Sequence, residues 1–249
     1  MAYDSTFLAF GLVVLSAYAV QTMIGFGSMV LCVTFGALLL PLPEVLSLAV
    51  PVSLVQTGYI IARHFRAIRG RVLFLEVLPL MLLGAGLSVW LLGDLRASWL
   101  KRVFGVLVLV LAVREIWARL RPAADGLVVQ VSKPAQTVAL FGAGVVHGLF
   151  ATGGPLLVYA IGRRGLSKGE FRSTVTTVWF VLNFALVVVY AQSGRIGGET
   201  ILPVLSLVPA VGIGIALGEV LHARIDEERF RRVLFVVLAA AALTLVVRG

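Results

Sequence analysis

The sequence predicts an all-α integral membrane protein made of two inverted repeats, each a broken or re-entrant helix pair followed by three transmembrane spans. Three observations carry this expectation. The 249 residues are 60% hydrophobic and 13% charged, with a mean hydropathy of +1.04, whereas a soluble domain is about 45–50% apolar and about 25% charged. Six apolar runs have the length of about 20 residues that a bilayer demands, and two further apolar regions are interrupted by glycines and polar side chains. Finally, the chain matches itself at offsets of 126 and 130 residues.

The elements follow in order. Residues 7–40 form an apolar region that would measure about 51 Å as one helix, too long for a hydrocarbon core of about 30 Å. Gln21–Met29, "QTMIGFGSM", breaks it in the middle. Spans are expected over 45–62, 72–92 and 103–120, completing a first repeat over 1–120. A cytoplasmic linker, 121–134, leads to the second repeat, 135–249. Its broken pair, 135–162, is interrupted by His147–Leu157, "HGLFATGGPLL", and its spans are expected over 173–192, 200–221 and 233–248. The opening residues, "MAYDSTF", have no basic region and are not expected to act as a cleaved signal peptide. Cys32, the single cysteine, can form no internal disulfide and is expected to serve as a small packing residue.

The repeat rests on ordered identities. An offset of 126 carries Gln21 onto His147, Gly27 onto Gly153 and Gly36 onto Gly162. An offset of 130 carries Pro79 onto Pro209, Gly84 onto Gly214 and Leu87 onto Leu217. A broken pair contributes an even number of crossings whether it is re-entrant or spans twice. With three spans added each half crosses an odd number of times, so tandem copies are inverted. The charges agree. Fifteen basic residues lie on one side, in loop 63–71, linker 119–135, loop 163–172 and loop 222–232, and five on the other: Arg96, Lys101, Arg102, Arg195 and Arg248. The positive-inside rule makes the first side cytoplasmic and places both termini outside. The net charge of +9 is thus read as topology, and nucleic acid is not an expected partner.

Non-helical backbone survives at membrane depth only where protein buries it or a wet cavity accepts it. "TGGP", Thr152–Pro155, reads as the start of a half-helix, with Thr152 as a cap and Pro155 in the first turn; "GFGS", Gly25–Ser28, reads as its counterpart. A helix start carries partial positive charge and free N–H groups. Two such starts meeting from opposite sides would form an anion site near the midplane. The expected substrate-binding residues are Gln21, Gly25, Gly27, Ser28, His147, Thr152, Gly153 and Gly154. His147, within an apolar run, is a candidate for substrate binding or proton coupling; a buried histidine satisfied by a backbone carbonyl is the plain alternative. Gln56, Thr57 and Asn183 are candidate cavity-lining residues or interhelical hydrogen-bond partners, and the offset of 126 places Thr57 on Asn183. Gly84, Gly86, Gly212, Gly214 and Gly218 read as helix-packing glycines.

On these residues the chain resembles a known family. "GFGSMVL" in the first broken segment, "HGLFATGGPLLVYA" in the second, and two halves of this size resemble the sulfite exporter TauE/SafE family of bacterial membrane transporters. The resemblance spans nearly the whole chain. It implies movement of sulfite, related sulfur oxyanions or organosulfonates, and residence in the bacterial inner membrane. It places the family's glycine motifs on Gly25, Gly27 and Ser28, and on Gly153, Gly154 and Pro155. Ala151 stands where the first tip has Gly25, so the two tips are expected to differ.

The leading expectation is therefore a secondary transporter with a small anion as cargo and the lipid bilayer as its surroundings, a candidate for proton coupling, not an enzyme, and without metal or other cofactor. A passive anion channel would have much the same sequence. A membrane-embedded hydrolase with Ser28 as nucleophile and His147 as base lacks a nucleophile-elbow pattern. A metal-ion transporter would need a ligand cluster that the sequence does not offer, and ATP-driven transport would need a phosphate-binding loop that is missing. Direction, coupling ion and oligomeric state stay open at this stage.

Overall fold

A computed structural model describes residues 5–24, 27–92, 98–120, 132–162, 165–222 and 227–248, and these residues form helices joined by short turns. The helices are α1 (Ser5–Ile24), α2 (Ser28–Leu39), α3 (Leu42–His64), α4 (Leu78–Leu92), α5 (Ser98–Leu120), α6 (Lys133–Phe150), α7 (Gly154–Ile161), α8 (Lys168–Gln192), α9 (Gly198–His222) and α10 (Glu227–Arg248). Both interrupted regions break at their glycines: α1 gives way to α2 at Gly27, and α6 to α7 across Ala151–Gly153. A π-helical turn, Val72–Val77, leads into α4. It shifts the backbone register just before Pro79, which has no N–H to donate.

Among the described residues, five helical segments are long and apolar enough to cross a membrane: Ser5–Met23, Leu42–Ala67, Val72–Leu91, Gly169–Gln192 and Gly198–Leu221. α1 is thus long and apolar enough for a full span, although it belongs to a broken pair. α5 has the length, about 34 Å for its 23 residues, but carries Lys101, Arg102, Arg114, Glu115 and Arg119. The apolar part of α10 is shorter, Val233–Val247. Large apolar side chains face outward all along these helices, among them Leu8, Leu83, Trp90, Leu202 and Val247. Lipid, unlike water, accepts such a surface.

By its packing the chain divides into two compact units. The first comprises Met1–Ala49, Asp94–Leu127 and Glu199–Gly249; the second comprises Val50–Gly93 and Val128–Gly198. Each unit draws helices from both halves of the sequence. The core of the second unit joins Leu73, Val77 and Met81 to Leu140 and Ala143 of α6, Leu157 and Ile161 of α7, and Val178 and Leu182 of α8. In the first unit Gly105 of α5 lies against Ala242 and Leu245 of α10, close enough that a Cβ would stand 3.0 Å from both.

The seams within the two units use corresponding residues. In the second unit a Cβ on Gly84 would overlap the carbonyl oxygen of Phe141 and lie 2.9 Å from the nitrogen of Val145. In the first, a Cβ on Gly214 would overlap the carbonyl oxygen of Leu15 and lie 3.2 Å from the nitrogen of Ala19. The offset of 130 carries Gly84 onto Gly214, and that of 126 carries Leu15 onto Phe141 and Ala19 onto Val145. One turn further on, Gly148 meets Ala85 and Ser88, while Gly218 meets Ala19 and Thr22. Missing side chains let these backbones approach and gain dispersion contacts. Gly86 and Gly212, expected to pack in the same way, have open space where a Cβ would stand.

Candidate functional site

The two tips are built differently. α2 begins at Ser28 after Gly27, whose φ of 104° and ψ of 0° favour a glycine. The side chain of Gln21, one turn before the end of α1, reaches across the break, and its Oε1 accepts a hydrogen bond from the Ser28 N–H at 3.2 Å. Gln21 is therefore a cap that satisfies the first donor of α2. Gly25, expected to belong to this tip, lies outside the described residues.

In the second tip α6 ends on Ala151, which takes the left-handed conformation with φ 54° and donates its N–H to the His147 carbonyl at 2.7 Å. Thr152, expected to cap α7, is buried but is not the cap. Gly153 holds the cap position and makes no side-chain capping bond. The reason is steric: a Cβ at Gly153 would overlap the carbonyl oxygen of Ala143 and stand 3.2 Å from the Cβ of His147. α7 thus starts pressed against α6 where no side chain fits. Pro155 sits in its first turn, as expected. That leaves the N–H groups of Gly154 and Leu156 as the donors of a helix start without a side-chain cap.

His147 is fully buried, and its ring stacks on Trp179 of α8 with centroids 5.3 Å apart and planes 11° from parallel. Its Nε2 lies 3.0 Å from Oδ1 of Asn183, one turn along α8. Asn183 in turn donates from Nδ2 to the Ser53 hydroxyl of α3 at 2.8 Å, and that hydroxyl donates to the Val50 carbonyl at 2.6 Å. The Nδ1 of His147 is buried without a hydrogen-bond partner. Trp179 also lies beside the start of α7, since a Cβ on Gly154 would stand 3.6 Å from its ring. His147, Asn183, Gly153 and Gly154 therefore gather in one place, and all belong to the second unit. Gln21, Gly27 and Ser28 belong to the first.

The other candidates fill local roles. Thr57 donates its hydroxyl to the Ser53 carbonyl within α3 at 2.8 Å, and Gln56 is buried beside it. Among the described residues no three His, Cys, Asp or Glu side chains converge as metal ligands. Ser53 and Trp179 were not legible as site residues. Each stands one turn before a residue that was, Thr57 and Asn183, and the offset of 126 carries Ser53 onto Trp179.

At the edge of the second unit, Arg69 pairs with Glu170 and donates its backbone N–H to Thr174 at 3.0 Å. Ser167 and Glu170 close a capping box at the start of α8.

Residues 9–245 match the family described as "Sulfite exporter TauE/SafE". The chain belongs to the sulfite exporter TauE/SafE family. The TauE/SafE match takes in both broken pairs and the His147 network. A curated relative, "Probable inner membrane transporter protein TsaS" of Comamonas testosteroni, is 29% identical over 204 residues, 81% of this chain and 80% of the relative. No solved structure matches the chain. Its family and this relative's name both mark the chain as a membrane transporter.

Proposed function

We propose that the chain is a secondary transporter that exports sulfite, or a related sulfur oxyanion or organosulfonate, across the bacterial inner membrane. The substrate class rests on the family, and the membrane on the apolar helices and the TsaS relative. The observation that carries the binding reading is the start of α7. Its helix dipole and two N–H donors lie beside a buried histidine whose Nδ1 has no partner. The start of α2 is a weaker anion site, because Gln21 already occupies its first donor. Gly27, Ser28, Thr152, Gly153 and Gly154 shape the two tips, and Gln21 and His147 complete them.

An inverted duplication, with both termini outside, is supported by the parity of the crossings, the basic loops and the two seams made from repeat-related residues. Alternating access then exposes the site to each side in turn. Each packing unit, rather than each sequence half, is the body that direct contact holds together.

Sulfite flux into proteoliposomes tests this. Wild-type flux is expected to saturate and to show counterflow, which a passive channel would not. Gly153→Ala is expected to reduce it in protein that still elutes as a folded species, and His147→Ala to remove any dependence on an imposed pH gradient. A wild type that moves no sulfite, thiosulfate or sulfonate rejects the substrate class.

A further inference from the structure

The hydrogen bonds beside α7 have a direction, and that direction bears on what the site binds. A serine hydroxyl has one hydrogen. Ser53 uses it on the Val50 carbonyl at 2.6 Å, so toward Asn183 it acts as an acceptor. The Asn183 amide must then turn its NH2 to Ser53 and its oxygen to His147. An oxygen facing Nε2 at 3.0 Å requires the hydrogen on Nε2. In the neutral ring Nδ1 is left as a bare acceptor, and it is the nitrogen that finds no partner. The opposite assignment would bury a partnerless N–H, which folded proteins avoid more strictly than a spare lone pair.

We propose that Ser53 and Asn183 are positioning residues that hold His147 as the Nε2–H tautomer, so that its Nδ1 accepts a hydrogen bond from the cargo, and the cargo is an oxyanion carrying one proton. This rests on the transport reading above. The arrangement divides the work by chemistry. The N–H groups of Gly154 and Leu156 face anionic oxygen, and the imidazole lone pair takes the single O–H. A fully deprotonated oxyanion would set lone pair against lone pair at Nδ1. Trp179, stacked on the ring, and Gly153, packed on its Cβ, keep the imidazole from turning away. Nδ1 is enclosed in this conformation, so the cargo reaches it only when the packing around the ring opens.

The test is 15N NMR of histidine-labelled protein in lipid, with sulfite flux measured on the same preparation. His147→Gln assigns the signal among the three histidines. The expected spectrum shows a protonated Nε2 and an unprotonated Nδ1. Hydrogen sulfite should shift the Nδ1 resonance toward its hydrogen-bonded value, and methanesulfonate, which has no O–H, should not. Ser53→Ala, a small change in a helix, should let the Nδ1–H form appear and lower sulfite flux about tenfold, the factor that one ordinary hydrogen bond is worth. Ser53→Thr, which keeps the hydroxyl, should restore both. A protonated Nδ1 in the wild type, a Ser53→Ala spectrum like the wild type, or an Nδ1 signal unmoved by hydrogen sulfite in protein that transports it overturns the proposal. A wild type that carries no sulfur anion defeats the transport reading and the cargo contact with it, while the tautomer still decides the bond chain.

Discussion

The imidazole of His147 and the carboxamide of Asn183 meet at 3.0 Å across α6 and α8, both fully enclosed by protein. Two helices that begin 35 residues apart, at Lys133 and Lys168, are thereby joined by polar groups in an apolar core. A buried donor that loses its acceptor costs about 1–3 kcal/mol. Asn183→Leu is therefore expected to lower stability by that amount, seen as a lower melting temperature in detergent. His147→Leu combined with it should cost less than the two single changes summed, because the pair is removed together.

Gly153 and Gly154 are neighbours with opposite tolerances. A Cβ on Gly153 would overlap backbone, the Ala143 carbonyl, which cannot swing aside. Gly153→Ala is expected to cost about 1–3 kcal/mol and to reduce flux by displacing the start of α7. A Cβ on Gly154 would make ordinary contact at 3.6 Å with the Trp179 ring. Gly154→Ala should stay within about 0.5 kcal/mol of the wild type. Thermal unfolding and flux of the two variants side by side check the contrast.

Ala151 holds a left-handed conformation, with φ 54°, in a buried turn. A β-branched residue is a steric outlier there. Ala151→Val is expected to destabilise by about 2 kcal/mol or more, combining backbone strain with overpacking. Limited proteolysis between α6 and α7 should then cut faster than in the wild type.

The paired seams predict paired effects. Gly84→Ala and Gly214→Ala each push a Cβ into a facing carbonyl, that of Phe141 or of Leu15. Each is expected to cost about 1–3 kcal/mol, by similar amounts. Gly86→Ala and Gly212→Ala meet open space and should be neutral or slightly stabilising, since alanine is the better helix former. Melting temperatures of the four variants test the duplication energetically. Unequal losses at Gly84 and Gly214 would speak against it.

Much of the fold was legible because its causes are local. The break before Ser28 and the one between Phe150 and Gly154 stand where glycine, proline and polar residues interrupt apolar runs, and any chain must break there. His147 stood out because an ionisable residue in an apolar stretch has no trivial explanation. Thr152 misled: its residue type suits a cap, but the press of α7 on Ala143 reserves that place for Gly153. Gln21, the repeat partner of His147, was legible as a residue of the first tip, and its hydrogen bond to the Ser28 N–H was not.

The sequence by itself determined that the chain is helical, apolar enough for lipid and interrupted at two tips, since composition, glycine and proline act within a few residues of where they stand. Only the tertiary structure decided which helices share a unit, with α4 packed on α6 and Gly214 of α9 on α1. It also decided that Trp179 stacks on His147 and that Ser53 reaches His147 through Asn183. Ser53 and Asn183 are 130 residues apart, and such a pair is chosen by how whole helix faces fit, which no local pattern encodes.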